Sequence, residues 1–116
     1  MSAVAVRRRK KELNWKFIVS AIQQQGRRSE TEIAIKNSLG LHARPATLFV
    51  QLAAGFASEI TVEKDGETVN GKSLMGLLML SAGCGSILKI VAEGDDSLAA
   101  LQALEDLIER KFEEED

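Results

Sequence analysis

Apolar and polar positions follow two different rhythms along this chain of 116 residues. From Thr31 to Lys36 the period is two, with Ile33 and Ile35 on one face, which predicts a short strand. Asn37 to Leu41 breaks the rhythm and reads as a loop, with Gly40 available for a backbone angle other residues avoid. From Arg44 to Ala54 the period lengthens to that of a helix. Ala46, Phe49, Leu52, Ala53 and Phe56 fall on one side, and Gly55 supplies a stop signal. Glu59 to Lys64 returns to alternation with Ile60 and Val62 inward. Asp65-Gly66 is a hairpin turn signal, and Thr68-Val69 is a short third strand closed by Asn70-Gly71. Leu74 to Ser81 reads as a short helix with Leu74, Leu77 and Leu78 on one side. Gly83 and Gly85 bracket a turn, and Ile87 to Ala92 is a fourth strand. Asp95 or Asp96 then caps a last helix whose stripe is Leu98, Leu101, Leu104, Leu107, Ile108 and Phe112. The order β-α-β-β-α-β-α predicts an α+β fold: a four-stranded, mainly antiparallel sheet covered on one face by three helices.

Before Glu30 the pattern changes character. Residues 1–11 read as a basic, disordered start. Residues 12–25 carry a helical spacing in Leu13, Phe17 and Ala21, extended by Ile18 and Ile22, with Trp15 between them. Gly26-Arg27-Arg28-Ser29 reads as a linker. The expected organisation is therefore a basic extension over 1–28, helical in 12–25, followed by a compact domain over 29–116. Three readings of the extension compete: a helix docked on the domain or on a partner, a basic amphipathic segment touching an anionic membrane or nucleic acid, and a floppy arm. Nothing in it reads bases specifically.

Charge sharpens that division. Residues 1–28 hold eight basic groups against the single acidic Glu12, while the remainder holds seven basic and sixteen acidic groups. The overall balance of −2 thus joins a basic arm to an acidic body. The longest apolar run, Leu77-Leu78-Met79-Leu80, is far too short to span a bilayer, and Arg7 to Lys11 is not followed by the apolar core of a secretion signal. A cytoplasmic setting is expected. With one cysteine, Cys84, and one histidine, neither an intrachain disulfide nor a zinc site is expected. Cys84, beside two glycines, reads as a small buried or turn residue.

The candidate chemistry lies in Gly40-Leu41-His42-Ala43-Arg44-Pro45, which contains the chain's only histidine and only proline. Proline suits the first turn of a helix, where its missing N–H costs no hydrogen bond. His42 is thereby placed in the loop leading into a helix N-terminus, where unpaired amides and the helix dipole favour an anion. An imidazole that titrates near neutrality is nucleophilic in its unprotonated form, and the fork of donors on Arg44 suits phosphoryl oxygens. The motif is a place to hold a phosphoryl group. Taken singly, a histidine near a helix start is more often a cap or a surface group, and a lone arginine is more often solvated. There is no Gly-x-x-x-x-Gly-Lys loop and no sign of a nucleotide or magnesium site.

Two stretches together, Gly40-Leu41-His42-Ala43-Arg44-Pro45-Ala46 and Gly71-Lys72-Ser73-Leu74-Met75-Gly76, carry a resemblance. With their spacing and the element order, residues 30–112 resemble HPr, the histidine-containing phosphocarrier family of the bacterial phosphoenolpyruvate:sugar phosphotransferase system. The arm is a departure, since typical members begin close to the first strand. The resemblance implies an open-faced β-sandwich that is a phosphoryl carrier and not an enzyme. It implies that His42 takes a phosphoryl group from phosphorylated enzyme I on one ring nitrogen and yields it to sugar-specific acceptor (EIIA-type) proteins, with Arg44 steadying the group. It also implies a regulatory role for Ser73 through an ATP-dependent kinase/phosphorylase, creating a form that binds a transcription regulator. The plain reading of Ser73 is a helix N-cap, and the two are compatible.

Leu41, Thr47, Lys72, Leu74, Met75 and Leu78 are candidate partner contacts, with Leu41 and Met75 expected as exposed apolar groups. Phe49 belongs to the core. No cofactor and no metal are expected, and a monomer is the family's usual state. Glu113-Glu114-Glu115-Asp116 is poorly placed at a helix C-terminus and is expected to be frayed and solvated, or to face the basic arm. The expected function is a phosphocarrier; the alternative is a regulatory adaptor of the same fold signalling by phosphorylation state without sugar transport, and a nucleic-acid role for the arm would be an addition to either.

Overall fold

The computed structural model describes residues 21–114. Their elements run β1 (Gln23–Gln25), β2 (Arg28–Ala34), α1 (Ala43–Ala54), β3 (Glu59–Lys64), β4 (Glu67–Asn70), α2 (Leu74–Met79), β5 (Ile87–Glu93) and α3 (Ser97–Glu109). A tight turn over Lys111–Glu113 follows. The sheet order is β1-β2-β5-β3-β4, and every neighbouring pair is antiparallel. The expected α+β architecture, with three helices against one sheet, is therefore present, but the sheet has five strands instead of four.

The extra strand corrects the reading of residues 12–25 at its end. Gln23–Gln25 is extended and pairs with β2, Gln23 opposite Glu30 and Gln25 opposite Arg28. Gly26 and Arg27 are the two central residues of a hairpin turn, not a linker. A positive φ of 61° at Gly26, the first of the two, fits the twist of such a turn. All three glutamines are exposed, so this strand buries no face and leaves no alternating apolar signature. Main-chain pairing holds it, aided where Ala21 donates its amide to Glu105 of α3 at 3.3 Å. The rest of the predicted 12–25 helix lies outside the described residues.

β2 also begins earlier than its isoleucines announce. The inward positions at its start are Ser29 and Thr31, both buried. Ser29 Oγ lies 3.0 Å from Ser97 Oγ, and Thr31 donates its hydroxyl to Glu105 at 3.3 Å. Polar groups are acceptable there because α3 satisfies them. Further along, Ile33 and then Ile35 join Ile60, Val62, Leu88 and Ile90 as the apolar face of the sheet. Against that face lie Ala46, Phe49 and Ala53 of α1, Leu77 of α2, and Leu101, Leu104 and Ile108 of α3. The other face is polar, and Lys89 stands opposite Glu32 on one side and Glu63 on the other. The Asp65-Gly66 hairpin has the positive φ values, 51° and 84°, that its sequence called for.

Two loops position the rest. Gly40 has φ 73°, and a Cβ placed there would lie 2.5 Å from the carbonyl oxygen of Ala82 and 2.7 Å from Cα of Gly83. The loop after β2 therefore lies directly on the loop before β5. Leu41 donates its amide to Ala82 O at 2.8 Å, and Gly85 donates to Ile35 O at 2.8 Å. At the other end, Asp96 occupies the N-cap position of α3 but makes no side-chain bond to its own helix. Its carboxylate instead accepts from the amides of Ala57 (2.8 Å) and Ser58 (3.0 Å) and from the Ser58 hydroxyl (2.5 Å). The start of α3 is thus tied to the loop entering β3.

Both loops generate expectations. Gly40→Ala, forced into a positive φ against backbone that cannot yield, should cost about 2 kcal/mol or more, read as a lower urea midpoint at unchanged slope. The Ser58 hydroxyl bond, followed by the Ala57 amide, holds the Asp96 pKa below the usual 3.8. Folding thus gains stability from the ionised form, fully present above pH 3.8 and lost as pH falls through the folded value. Urea midpoints of the native chain and Asp96→Asn should accordingly differ most near neutrality and converge as pH falls through the lowered folded value.

Candidate functional site

His42 occupies the N-cap position of α1 with extended backbone, φ −84° and ψ −168°, and its ring does not cap the helix. The first intrahelical bond runs from the Ala46 amide to His42 O at 3.0 Å. Helix geometry leaves the preceding amides, those of Ala43 and Arg44, without a carbonyl inside the helix, and Pro45 has none to satisfy. Leu41 and Pro45 are both buried and hold the chain down on either side of His42, which is 37% exposed at its side chain. An accessible imidazole on a rigid stretch is the result.

Arg44 lies on the same first turn and is more exposed than the histidine. Its Nη1 donates to the Phe112 carbonyl and to a Glu114 carboxylate oxygen, each at 3.3 Å. That carboxylate is the residue sequence reasoning missed. Glu114, expected to be frayed, has a side chain only 15% exposed. Its Oε2 lies 2.9 Å from His42 Nε2, and its Oε1 accepts from Asn37 Nδ2 at 2.9 Å. Asn37 is fully buried and donates a second bond, at 2.7 Å, to Gly40 O. One carboxylate therefore joins the loop before α1, the histidine ring and the arginine.

The path of the chain to this point is unusual. Lys111, Phe112 and Glu113 have φ values of 57°, 55° and 64° in succession. Each costs a non-glycine residue about 1–2 kcal/mol, so the turn persists only where its surroundings demand it. Phe112 is completely buried and supplies that demand from one side. The expected stripe of α3 thus keeps its last member, although the helix ends at Glu109 and Phe112 reaches the core from the turn beyond.

Ser73 is the N-cap of α2, and its hydroxyl accepts from the Gly76 amide at 3.0 Å. The neighbouring Lys72 is half-buried, with Nζ donating to the Phe56 carbonyl just past α1 at 2.7 Å. Of the apolar candidates, Met75 and Leu74 are exposed, at 68% and 38%, and Leu78 packs partly against the core. Leu41 is not an exposed contact, because its side chain is 5% exposed and belongs to the core. Thr47 turns its hydroxyl into its own helix, donating to Ala43 O at 2.7 Å. Met79 and Leu39, which no pattern singled out, are both strongly exposed. Cys84 lies exposed in the turn between Gly83 and Gly85. Among the described residues no group of histidine, cysteine and carboxylate side chains is arranged to hold a metal, and no helix is long and apolar enough to cross a membrane.

Comparison with known proteins places this geometry. Residues 29–110 match the family described as the PTS HPr component phosphorylation site. The phosphocarrier protein HPr of Treponema pallidum is 51% identical over 83 residues, covering 72% of this chain and 94% of that protein. The HPr-like protein Crh of Halalkalibacterium halodurans is 49% identical over 82 residues, covering 71% and 98%. The crystal structure of HPr from Thermoanaerobacter tengcongensis superposes with a TM-score of 0.72 at 57% identity, covering 74% of this chain and 97% of that one. With the histidine loop and the serine cap both within the matched span, the chain belongs to the HPr family of phosphotransferase-system proteins.

Proposed function

We infer that the protein is a phosphocarrier of the phosphotransferase system. His42 accepts a phosphoryl group from phosphorylated enzyme I and passes it to sugar-specific EIIA-type acceptors. The observation that carries this reading is the accessible imidazole of His42 at the N-cap of α1, with the Arg44 guanidinium on the first turn. A ring nitrogen attacks phosphorus as the bond to the donor breaks, and the oxygens that carry charge during transfer meet the guanidinium and the first amides of the helix. The chain is then the substrate of its partners, not a catalyst, and it needs no metal of its own. Its setting is the cytoplasm, where the phosphoenolpyruvate-driven donor works.

Ser73 is a second modification point in this reading. A phosphate there would add about −1.5 to −2 of charge beside Leu74 and Met75, the exposed apolar side chains on which partners dock. Local placement at a helix start is favourable, while the acidic addition repels an acidic partner. One finding favours a second reading, a regulatory adaptor: the Crh relative is nearly as similar to this chain as the HPr relative. An adaptor signalling only through serine has no need of the His42 and Arg44 pair, so the carrier reading ranks first.

The deciding experiment is intact-protein mass after incubation with phosphoenolpyruvate, magnesium and a bacterial enzyme I. The native chain should gain one acid-labile phosphoryl group and His42→Ala none. An unmodified native chain, shown by circular dichroism to be folded, would leave the adaptor reading, to be tried next with ATP and an HPr kinase on Ser73. In the same assay Arg44→Ala should slow acceptance about a hundredfold, the lower end of the scale for one lost charge-stabilising donor in the transition state.

A further inference from the structure

We propose that Glu114 is a positioning residue for His42, holding the proton on Nε2 so that Nδ1 presents the lone pair that attacks phosphorus. The inference rests on the carrier reading of His42 and concerns how its ring is set. A carboxylate can only accept, so the 2.9 Å approach of Glu114 Oε2 to Nε2 requires that Nε2 carry hydrogen. In a neutral imidazole the other nitrogen is then bare. The carboxylate is itself fixed from its second oxygen by Asn37 Nδ2 at 2.9 Å, and Asn37 is fully buried. That orientation of the asparagine amide is dictated by its partners, since its nitrogen faces two acceptors, Gly40 O and Glu114.

The surrounding chain fits a role at the site better than an accidental contact. Three consecutive residues with positive φ bring the backbone back from the end of α3, with Phe112 buried as the anchor and Glu114 immediately after the turn. The segment lies just beyond residue 110, where the family match ends.

Atoms and charge balance without a proton transfer. Nδ1 forms the bond to phosphorus, the donor departs with the electron pair of the bond that breaks, and the ring becomes an N-phosphorylated imidazolium that keeps its Nε2 hydrogen. The carboxylate that oriented the neutral ring is then paired with the positive charge that transfer creates, as the orienting acid of a catalytic triad is. On return transfer the same steps run backwards. Arg44, bonded to the same carboxylate oxygen at 3.3 Å, is free to turn its remaining donors to the phosphoryl oxygens.

The test is nitrogen-resolved NMR of the histidine ring in the full chain, with phosphorylation rates measured on the same samples. The native protein should show an exchange-protected Hε2 resonance on Nε2. Glu114→Ala should lose it to solvent exchange and accept phosphoryl groups from phosphorylated enzyme I about fivefold more slowly, the scale of one partly exposed charge-assisted hydrogen bond. Glu114→Gln, which keeps an acceptor oxygen, should retain the resonance and most of the rate, a rescue that a purely structural role would not produce. An Hε2 signal unaltered in Glu114→Ala would overturn the proposal. So would acceptance as fast as native or faster, which would mark Glu114 as an obstacle to the phosphoryl group. The expected ring signals without phosphorylation of any variant would overturn the carrier reading and still support the hold of Glu114 on Nε2.

Discussion

The contact of Gly40 with the backbone of Ala82 and Gly83 is the constraint from which the site follows. Two loops at the same end of the sheet, one leaving β2 and one entering β5, approach so closely that no side chain fits between them. Once they touch, Leu41 is committed to the core and to a bond with Ala82, and the next residue must leave the surface at the start of a helix. His42 stays accessible on a stretch that Leu41 and Pro45 pin to the core from either side. A side chain on a stretch pinned by buried residues loses little further freedom when a partner docks, which suits the carrier role proposed for it.

Among the described residues the three helix starts use their cap positions in three different ways. Each leaves amides without intrahelical partners. α2 uses its own cap, the Ser73 hydroxyl. At α3, Asp96 sends its carboxylate across to the amides of the loop before β3 and so ties two elements together. At α1 the cap position is given to a ring that does not cap, and the helix start stays available to something outside the chain. The residue types match these uses: a short hydroxyl where the need is local, a carboxylate where two loops must be joined, an imidazole where the proposed phosphoryl transfer takes place.

Much of this was legible in the sequence because period and turn chemistry are local. The strand around Ile60 and Val62 falls where alternation placed it, the Asp65-Gly66 turn has its expected angles, and the glycine, histidine and proline punctuate the start of α1 as read. What escaped was non-local. Ser29 and Thr31 do not look like core positions until α3 supplies their partners, and Gln23–Gln25 has no pattern at all without β2 beside it. Glu114 was misread for the same reason. Charge at a helix end suggested fraying, but the helix stops five residues earlier and a left-handed turn returns the chain to the histidine. A buried Phe112 following a polar run was the one available clue, since an aromatic so near the end of a helix needs somewhere to go.

The β1–β2 hairpin has a consequence for how this protein behaves in company. A sheet edge offers unpaired amides and carbonyls to any extended chain that passes, and a long apolar edge invites association. Among the described residues β2 is an interior strand, and the edge beside it is three exposed glutamines joined to it by the Gly26-Arg27 turn. Such an edge is too short and too polar to recruit a neighbour. A short, polar edge of this kind offers little to a passing strand, so this side of the described sheet adds little to unwanted association in a crowded cell.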